Sequence, residues 1–450
     1  MARRKKRKEK KLLDEVQLAE EILNQLKAVE PKMVTAGPHL PYGNLFDFSR
    51  PLSFLDANIG LLPFGTNEQE LSYLARMSRA FLSPCETPKT GISLDDIARK
   101  VISEETTFDL TKYDLKLSFE GARGAMVTYL QHLVSADKPL VVYTSPNWIF
   151  DKIVSHVDGA LSFTIHATTA DEFVDKFAAL EVSTKDRIAA VMIVDPANPL
   201  GYRFTPGQIV AIEEIAQQHG IVPIFDDVFR GLQDKGNRHS SSEYSHNSII
   251  IETTSKRFGA RSLGVTWSLV PRSSKIGYVS PIDSECVGCT NLATVVIEGL
   301  YNTDYGEKVR SMLQTNSRAF QRGFKDSFGE QQAPGRFVQA FPTMPLFTYH
   351  FDSEFWNPED PFKVAAFKSH LAQANVRVSY GIDWICSPDS KFKLVLGGKD
   401  GKADLEIDKT HLPEIIHALR YLRICPTKTT PEMSYVGGQM MGSKFQHFFK

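Results

Sequence analysis

From about residue 115 the chain alternates apolar runs of strand length with amphipathic stretches of helix length. The runs are Leu115–Phe119, Leu140–Thr144, Leu161–His166, Ile188–Asp195, Ile221–Asp226, Ile249–Thr253 and Val265–Val270. Between most of them, Gly124–Val134, Trp148–His156, Ala170–Leu180 and Thr205–His219 carry helical patterns. Thr205-Pro206 reads as a helix start, a hydroxyl cap followed by proline in the first turn, and Gly220 reads as a stop. Strands alternating with helices of this length predict an α/β fold, a mostly parallel sheet flanked by helices. Ala189–Val194 and Ile221–Phe225 are apolar without alternation, as strands covered on both faces require.

Near Ala333-Pro334-Gly335 the pattern changes. A strand (Leu346–Tyr349), a helix (Pro361–Ala374), two strands (Val376–Tyr380 and Phe392–Leu396) and a helix (Leu412–Ile424) predict a smaller α+β C-terminal domain. Pro426–Lys450 is polar and aperiodic and reads as a tail. At the other end, Leu12, Val16, Ala19, Ile22, Leu23, Leu26 and Val29 share one helical face until Pro31 ends it. The expected organisation is therefore a basic tail and amphipathic helix over 1–30 and a large domain with its N-terminal segment over 31–330. The small domain follows over 331–425 and the tail over 426–450.

Composition narrows the class. A chain of 450 residues with 42% hydrophobic and 23% charged residues is an ordinary folded protein with room for two or three domains, which excludes disordered, collagenous and disulfide-rich small scaffolds. Its formal charge of −1 hides an asymmetry. Residues 1–11 hold eight basic residues and one acidic, leaving 44 basic against 52 acidic in the rest. A mildly acidic body argues against nucleic-acid binding, although the basic run leaves contact with RNA or an anionic surface open. The apolar runs are of strand length, far below the ~20 residues of a membrane span. Asp14, Glu15, Glu20 and Glu21 interrupt any secretory apolar region. Five cysteines, an odd number, suit a reducing cytoplasm, and Cys286-x-x-Cys289 has no second pair nearby to complete a metal site. Phosphate-loop, dinucleotide, zinc-protease and nucleophile-elbow motifs are absent.

The chemistry gathers at strand ends. Leu117–Met126 (LSFEGARGAM) is a strand, a glycine bend and a helix start, suited to a phosphate, with Arg123 able to add charge. Ser145-Pro146-Asn147-Trp148 puts a flat aromatic beyond the next strand. Asp195–Gly201 (DPANPLG) ends another strand in a polar turn, and Asp226 stands at the mouth of a fourth. Thr253-Thr254-Ser255-Lys256 ends a fifth with hydroxyls and an amine. Taken singly, each residue has a plainer role as a cap, core or surface group. In an open parallel sheet, however, ligands bind at the carboxyl ends of the strands. A phosphate cradle, a stacking ring, an amide, a carboxylate and a lysine at that edge together describe a site for pyridoxal 5′-phosphate.

These segments resemble the class I/II aminotransferases of PLP fold type I, over roughly residues 50–425. Asp195–Gly201 is similar to their N-P-x-N-P-T-G motif, Ile224–Phe229 (IFDDVF) to their D-x-x-Y segment, and Thr253–Gly259 (TTSKRFG) to their S-x-S-K motif. The resemblance implies a Schiff base on Lys256, which is also the base for the substrate α-proton. It implies Asp226 on the pyridinium nitrogen, Asn198 on the phenolic oxygen and Trp148 on the ring face. Gly121, Ala122, Arg123, Thr253, Ser255 and Arg261 would hold the phosphate, and Asn58, Gly60 and Lys393 the substrate. It further implies an amino acid substrate and a homodimer.

Departures keep alternatives open. Phe229 stands where the family has tyrosine, Gly264 where it has an arginine, and Lys393 where an arginine grips the substrate carboxylate, with Arg377 as a substitute. Ser83–Thr90 lacks the tyrosine that reaches a partner subunit. The expected activity is transamination between an amino acid and a 2-oxo acid. A PLP-dependent cyclase or lyase on a specialised amino acid is the alternative, and a non-catalytic aminotransferase-like scaffold is a second.

Overall fold

The computed structural model describes residues 46–47, 94–233, 241–259, 264–274, 287–328, 333–352, 370–371, 376–380, 394–395, 404–405, 420–427 and 430–449. The expected helix over 12–29 lies outside these residues, as do 361–369 and 372–374 of the one expected over 361–374, whose described residues 370–371 are helical, and 412–419 of the one expected over 412–424.

Seven strands form the main sheet: β1 (Tyr113–Ser118), β2 (Leu140–Ser145), β3 (Leu161–His166), β4 (Ile188–Val194), β5 (Val222–Asp226), β6 (Ile249–Thr253) and β7 (Thr266–Pro271). Their spatial order is β1-β7-β6-β5-β4-β2-β3. The five strands from β3 to β6 run parallel, and β7 and β1 are antiparallel additions at one edge. Every residue of β4 and of β6 is buried, which is why those stretches show no polar alternation.

Helices α1 (Leu94–Glu105), α2 (Gly121–Leu133), α3 (Phe150–Val154), α4 (Ala170–Ala178) and α5 (Pro206–His219) accompany the sheet. The α5 start is a capping box: the Thr205 hydroxyl accepts from Gln208 N–H, and the Gln208 side chain accepts from Thr205 N–H at 2.7 Å. Gly220 ends the helix at φ +59°, the left-handed conformation that glycine adopts without strain. A four-residue helix α6 (Thr254–Arg257) follows β6 directly, capped by the Thr253 hydroxyl. Helices α7 (Val287–Asn302) and α8 (Tyr305–Phe328) then lead to a second sheet.

That sheet is antiparallel, β8 (Gly335–Val338), β9 (Phe347–Phe351), β10 (Ser379–Tyr380) and β11 (Tyr421–Ile424), in the order β10-β11-β9-β8. Residues 421–424, expected to finish a helix, are therefore strand. β11 is an inner strand with ladder partners on both sides and all four residues buried, and such a run does not betray its period.

A second correction concerns the C-terminus. Residues 426–450, expected as a tail, contain helix α9 (Pro431–Phe449), packed along α8. Its buried face is Ser434, Gly437, Gly438, Met441, Gly442 and Phe445, four of them small, which leaves only a thin apolar stripe in the sequence. Those glycines let the two backbones approach. A Cβ on Gly438 would collide with the Phe320 carbonyl, and one on Gly323 with that of Tyr435. Aromatic rings seal the far side of the contact, with Phe324 edge-on to Phe445 at 5.2 Å and Phe337 edge-on to Tyr349 at 4.9 Å.

Candidate active site

The carboxyl ends of β2, β4, β5 and β6 open on the same edge of the sheet, because parallel strands all end there. Asp226 is the last residue of β5 and is 7% exposed. Its Oδ1 has no hydrogen-bond partner among the described residues. Burial pushes its carboxyl up to about 7, against the opposing pull of the Lys256 ammonium, the Val228 N–H and the Arg123 guanidinium. Trp148, past the end of β2, lies under two cations: the Arg123 guanidinium is 4.6 Å from a Trp148 ring centroid, and Lys256 Nζ is 5.9 Å away. Arg123, Trp148, Asp226 and Lys256 thus lie together at this edge of the sheet.

The cradle beside them is built from backbone. Gly121 takes φ +72° at the start of α2, where the first N–H groups of a helix have no intrahelical acceptor. Its own N–H donates to the Gly264 carbonyl at 2.8 Å, tying the helix start to the loop beyond α6. Gly264 sits at φ +61°, and a Cβ there would collide with the Phe119 carbonyl, so this position admits no side chain. The Thr253 hydroxyl accepts from Ser255 N–H at 3.2 Å, with Ser255 Oγ 3.0 Å away. Ala122 and Arg123 follow Gly121 in the first turn of α2.

Asn198, in the turn after β4, is 7% exposed. Its Oδ1 accepts from Arg423 Nη1 at 3.2 Å. Since the oxygen is engaged, the amide's other end is oriented as a donor. Arg423 belongs to β11 and is 2% exposed, so the second sheet delivers a buried guanidinium to the turn that carries Asn198. Arg423 escapes a sequence pattern that predicts helix through residue 424. The signal was an arginine inside an apolar strand-length run, Tyr421-Leu422-Arg423-Ile424-Cys425. Asn58, Gly60, Arg261 and Lys393 lie outside the described residues. Phe229 is 2% exposed and ends the turn after Asp226.

The residues present fit pyridoxal 5′-phosphate. The orphaned, buried Asp226 oxygen calls for a cationic N–H, the Trp148 face for a flat ring, the glycine cradle for an anion and the Lys256 amine for an aldehyde. Among the described residues no cluster of His, Cys, Asp and Glu is arranged to hold a metal ion.

Comparison with known proteins agrees. The family described as aminotransferase class I and II matches residues 103–379. The aspartate aminotransferase of Geobacillus stearothermophilus is 22% identical over 254 residues, 55% of this chain and 58% of that protein. The chain spans about half the length of the curated relatives it matches. In fold it is similar to the N-succinyldiaminopimelate aminotransferase of Mycobacterium tuberculosis, with a TM-score of 0.59 at 16% identity over 88% of this chain and 97% of that one. A multiple substrate aminotransferase from Thermococcus profundus superposes with a TM-score of 0.61 at 9% identity, covering 90% and 91% of the two chains. The match over more than half of its length places the chain in the aminotransferase class I and II family, whose cofactor is pyridoxal 5′-phosphate.

Proposed function

We propose that the protein is an aminotransferase that exchanges an amino group between an α-amino acid and a 2-oxo acid, with Lys256 as its catalytic residue. The observation that carries this is Asp226: a buried carboxylate with an orphaned oxygen, coupled to Lys256 across the mouth of a parallel sheet. Pyridoxal 5′-phosphate held there supplies an electron sink for the pair left on the substrate α-carbon when its proton departs.

The chain's residues divide the remaining work. Asp226 keeps the ring nitrogen protonated by offering it a buried negative charge. Trp148 covers the ring face, and the Asn198 amide donates to the phenolic oxygen. The α2 start at Gly121, Ala122 and Arg123, with Thr253 and Ser255, holds the phosphate; the Arg261 assignment is retained as part of the same cradle. Lys256 Nζ would hold the cofactor, and its amine would take and return the substrate α-proton. Arg423 grips the substrate carboxylate with its planar fork, and Asn198 fixes that fork's direction. Asn58 and Gly60 contact the substrate, and Lys393 is the other candidate for its carboxylate. A homodimer and a cytoplasmic setting complete the reading. Among the described residues no helix is long and apolar enough to cross a membrane.

The Phe229 ring favours one other reading, a PLP-dependent cyclase or lyase on a specialised amino acid. A buried phenyl group there donates nothing to the phenolic oxygen. One experiment separates these readings. The protein is mixed with pyridoxal 5′-phosphate, reduced with borohydride and peptide-mapped, and a second portion is given single amino acids. Label on Lys256 and conversion of the cofactor to its pyridoxamine form by an amino acid alone support the aminotransferase. Label without conversion supports the other chemistry. No label, or label on another lysine, refutes both.

A further inference from the structure

A buried network of charges lies behind the strand ends that carry Asp226 and Lys256. Asp227, Arg230, Glu252 and Arg257 are each at most 2% exposed. Three of them are the immediate chain neighbours of residues at the candidate site: Asp227 of Asp226, Glu252 of Thr253, and Arg257 of Lys256. Because successive side chains of a strand point to opposite faces, Glu252 lies on the other side of β6 from Thr253.

Glu252 is the hub. One of its oxygens takes Arg230 Nη2 and, at 3.2 Å, Trp267 Nε1; the other takes Arg257 Nη2 at 2.6 Å. Arg230 also has its Nε 3.2 Å from Asp227 Oδ2, which accepts from the Ser242 hydroxyl at 2.9 Å. Arg257 turns its fork onto Glu105 of α1 at 2.8 and 2.6 Å. The Arg257 guanidinium lies so close to Gly231 that a Cβ there would collide with its Nε, so it has little room to move. Burial alone would push the Glu252 carboxyl up, but Arg230 and then Arg257 outweigh it and hold it below its ordinary value.

Such a network is a weak source of stability, because well-packed apolar residues often do as well or better. What fixed charges with several partners provide is direction and rigidity. We propose that Glu252 is a positioning residue: by holding Arg230 with one oxygen and Arg257 with the other, it ties the segment after Asp226 to the helix that carries Lys256 and sets their separation. This rests on the reading of Asp226 and Lys256 as the two ends of a pyridoxal 5′-phosphate site.

The test uses Glu252→Gln, which keeps the shape but accepts from one arginine only and turns donors toward the other. The first readout is the rate at which pyridoxal 5′-phosphate leaves the protein. The second is the pH at which the bound cofactor changes its visible absorption. Ile250→Val, in the same strand and outside the network, serves as a control for general loosening. A positioning role predicts release about tenfold faster in Glu252→Gln. It also predicts a spectral transition at higher pH, since a displaced Asp226 no longer secures the ring's positive charge, which disfavours a second proton nearby. Glu105→Gln, at the rim of the network, is expected to move both readouts the same way by less, and it decides the matter if Glu252→Gln does not fold. Unchanged readouts in the variant, or shifts equal to those of Ile250→Val, overturn the proposal. A wild-type protein that takes up no cofactor overturns the underlying reading as well, and that result is visible without any variant.

Discussion

Replacing Arg423 tests the candidate site where the two sheets meet. Its guanidinium is 2% exposed and donates to Asn198 Oδ1 at 3.2 Å, so a carboxylate arriving beside it is poorly screened by water. Opposite charges ~4 Å apart attract by about 4 kcal/mol at an effective dielectric of about 20. Desolvation of the incoming carboxylate offsets part of this, leaving about 3 kcal/mol, roughly a hundredfold in kcat/KM. Arg423→Gln is expected to lose that amount. Arg423→Lys keeps the charge but loses one bond of the fork, and about tenfold is expected. The assay is the single-turnover rate of pyridoxamine formation against amino acid concentration, with cofactor affinity measured separately and expected to stay within about threefold. If Arg423→Gln retains near wild-type rates while Lys393→Ala loses them, the carboxylate belongs to Lys393 and the assignment of Arg423 is wrong.

Three other outcomes follow from the same structure. In the cofactor-free protein Asp226, raised by burial to about 7 from an ordinary 3.8, binds a proton in the folded state that the unfolded chain has already lost, so its contribution to stability falls as pH rises between those values by about 4 kcal/mol. Asp226→Asn should therefore match the wild type in urea near pH 4 and exceed it near pH 8; equal midpoints at both would contradict the burial argument. Phe229→Tyr restores a donor to the oxygen whose negative charge grows as the lysine linkage loses its proton, and it should move the visible transition about one unit lower in pH. Gly438→Ala forces a methyl against the Phe320 carbonyl and should cost about 2 kcal/mol, read as a lower melting temperature, whereas the exposed Val436→Ala should cost little.

Local signals in the chain determined much of the main sheet. Apolar runs of five to seven residues between helical stretches fit the strands of a sheet covered by helices, and Ile249–Thr253 and Leu161–His166 occupy the expected positions residue for residue. The α5 cap and stop are likewise readable, because Thr205, Pro206 and Gly220 act through their own backbone neighbours. The approach of Asp226 to Lys256 was legible, since the strand ends of a parallel sheet converge wherever the sheet goes. Tertiary structure alone decided what depends on partners distant in sequence. Gly264 is forced to be glycine by the Phe119 carbonyl, and α9 lies against α8 through glycines, whose part in the contact no apolar pattern announces. Arg423 reaches Asn198 across 225 residues, and Glu252 gathers Arg230, Arg257 and Trp267 from three other segments. A buried charge looks the same in sequence as an exposed one; only packing removes the water and makes its partners matter.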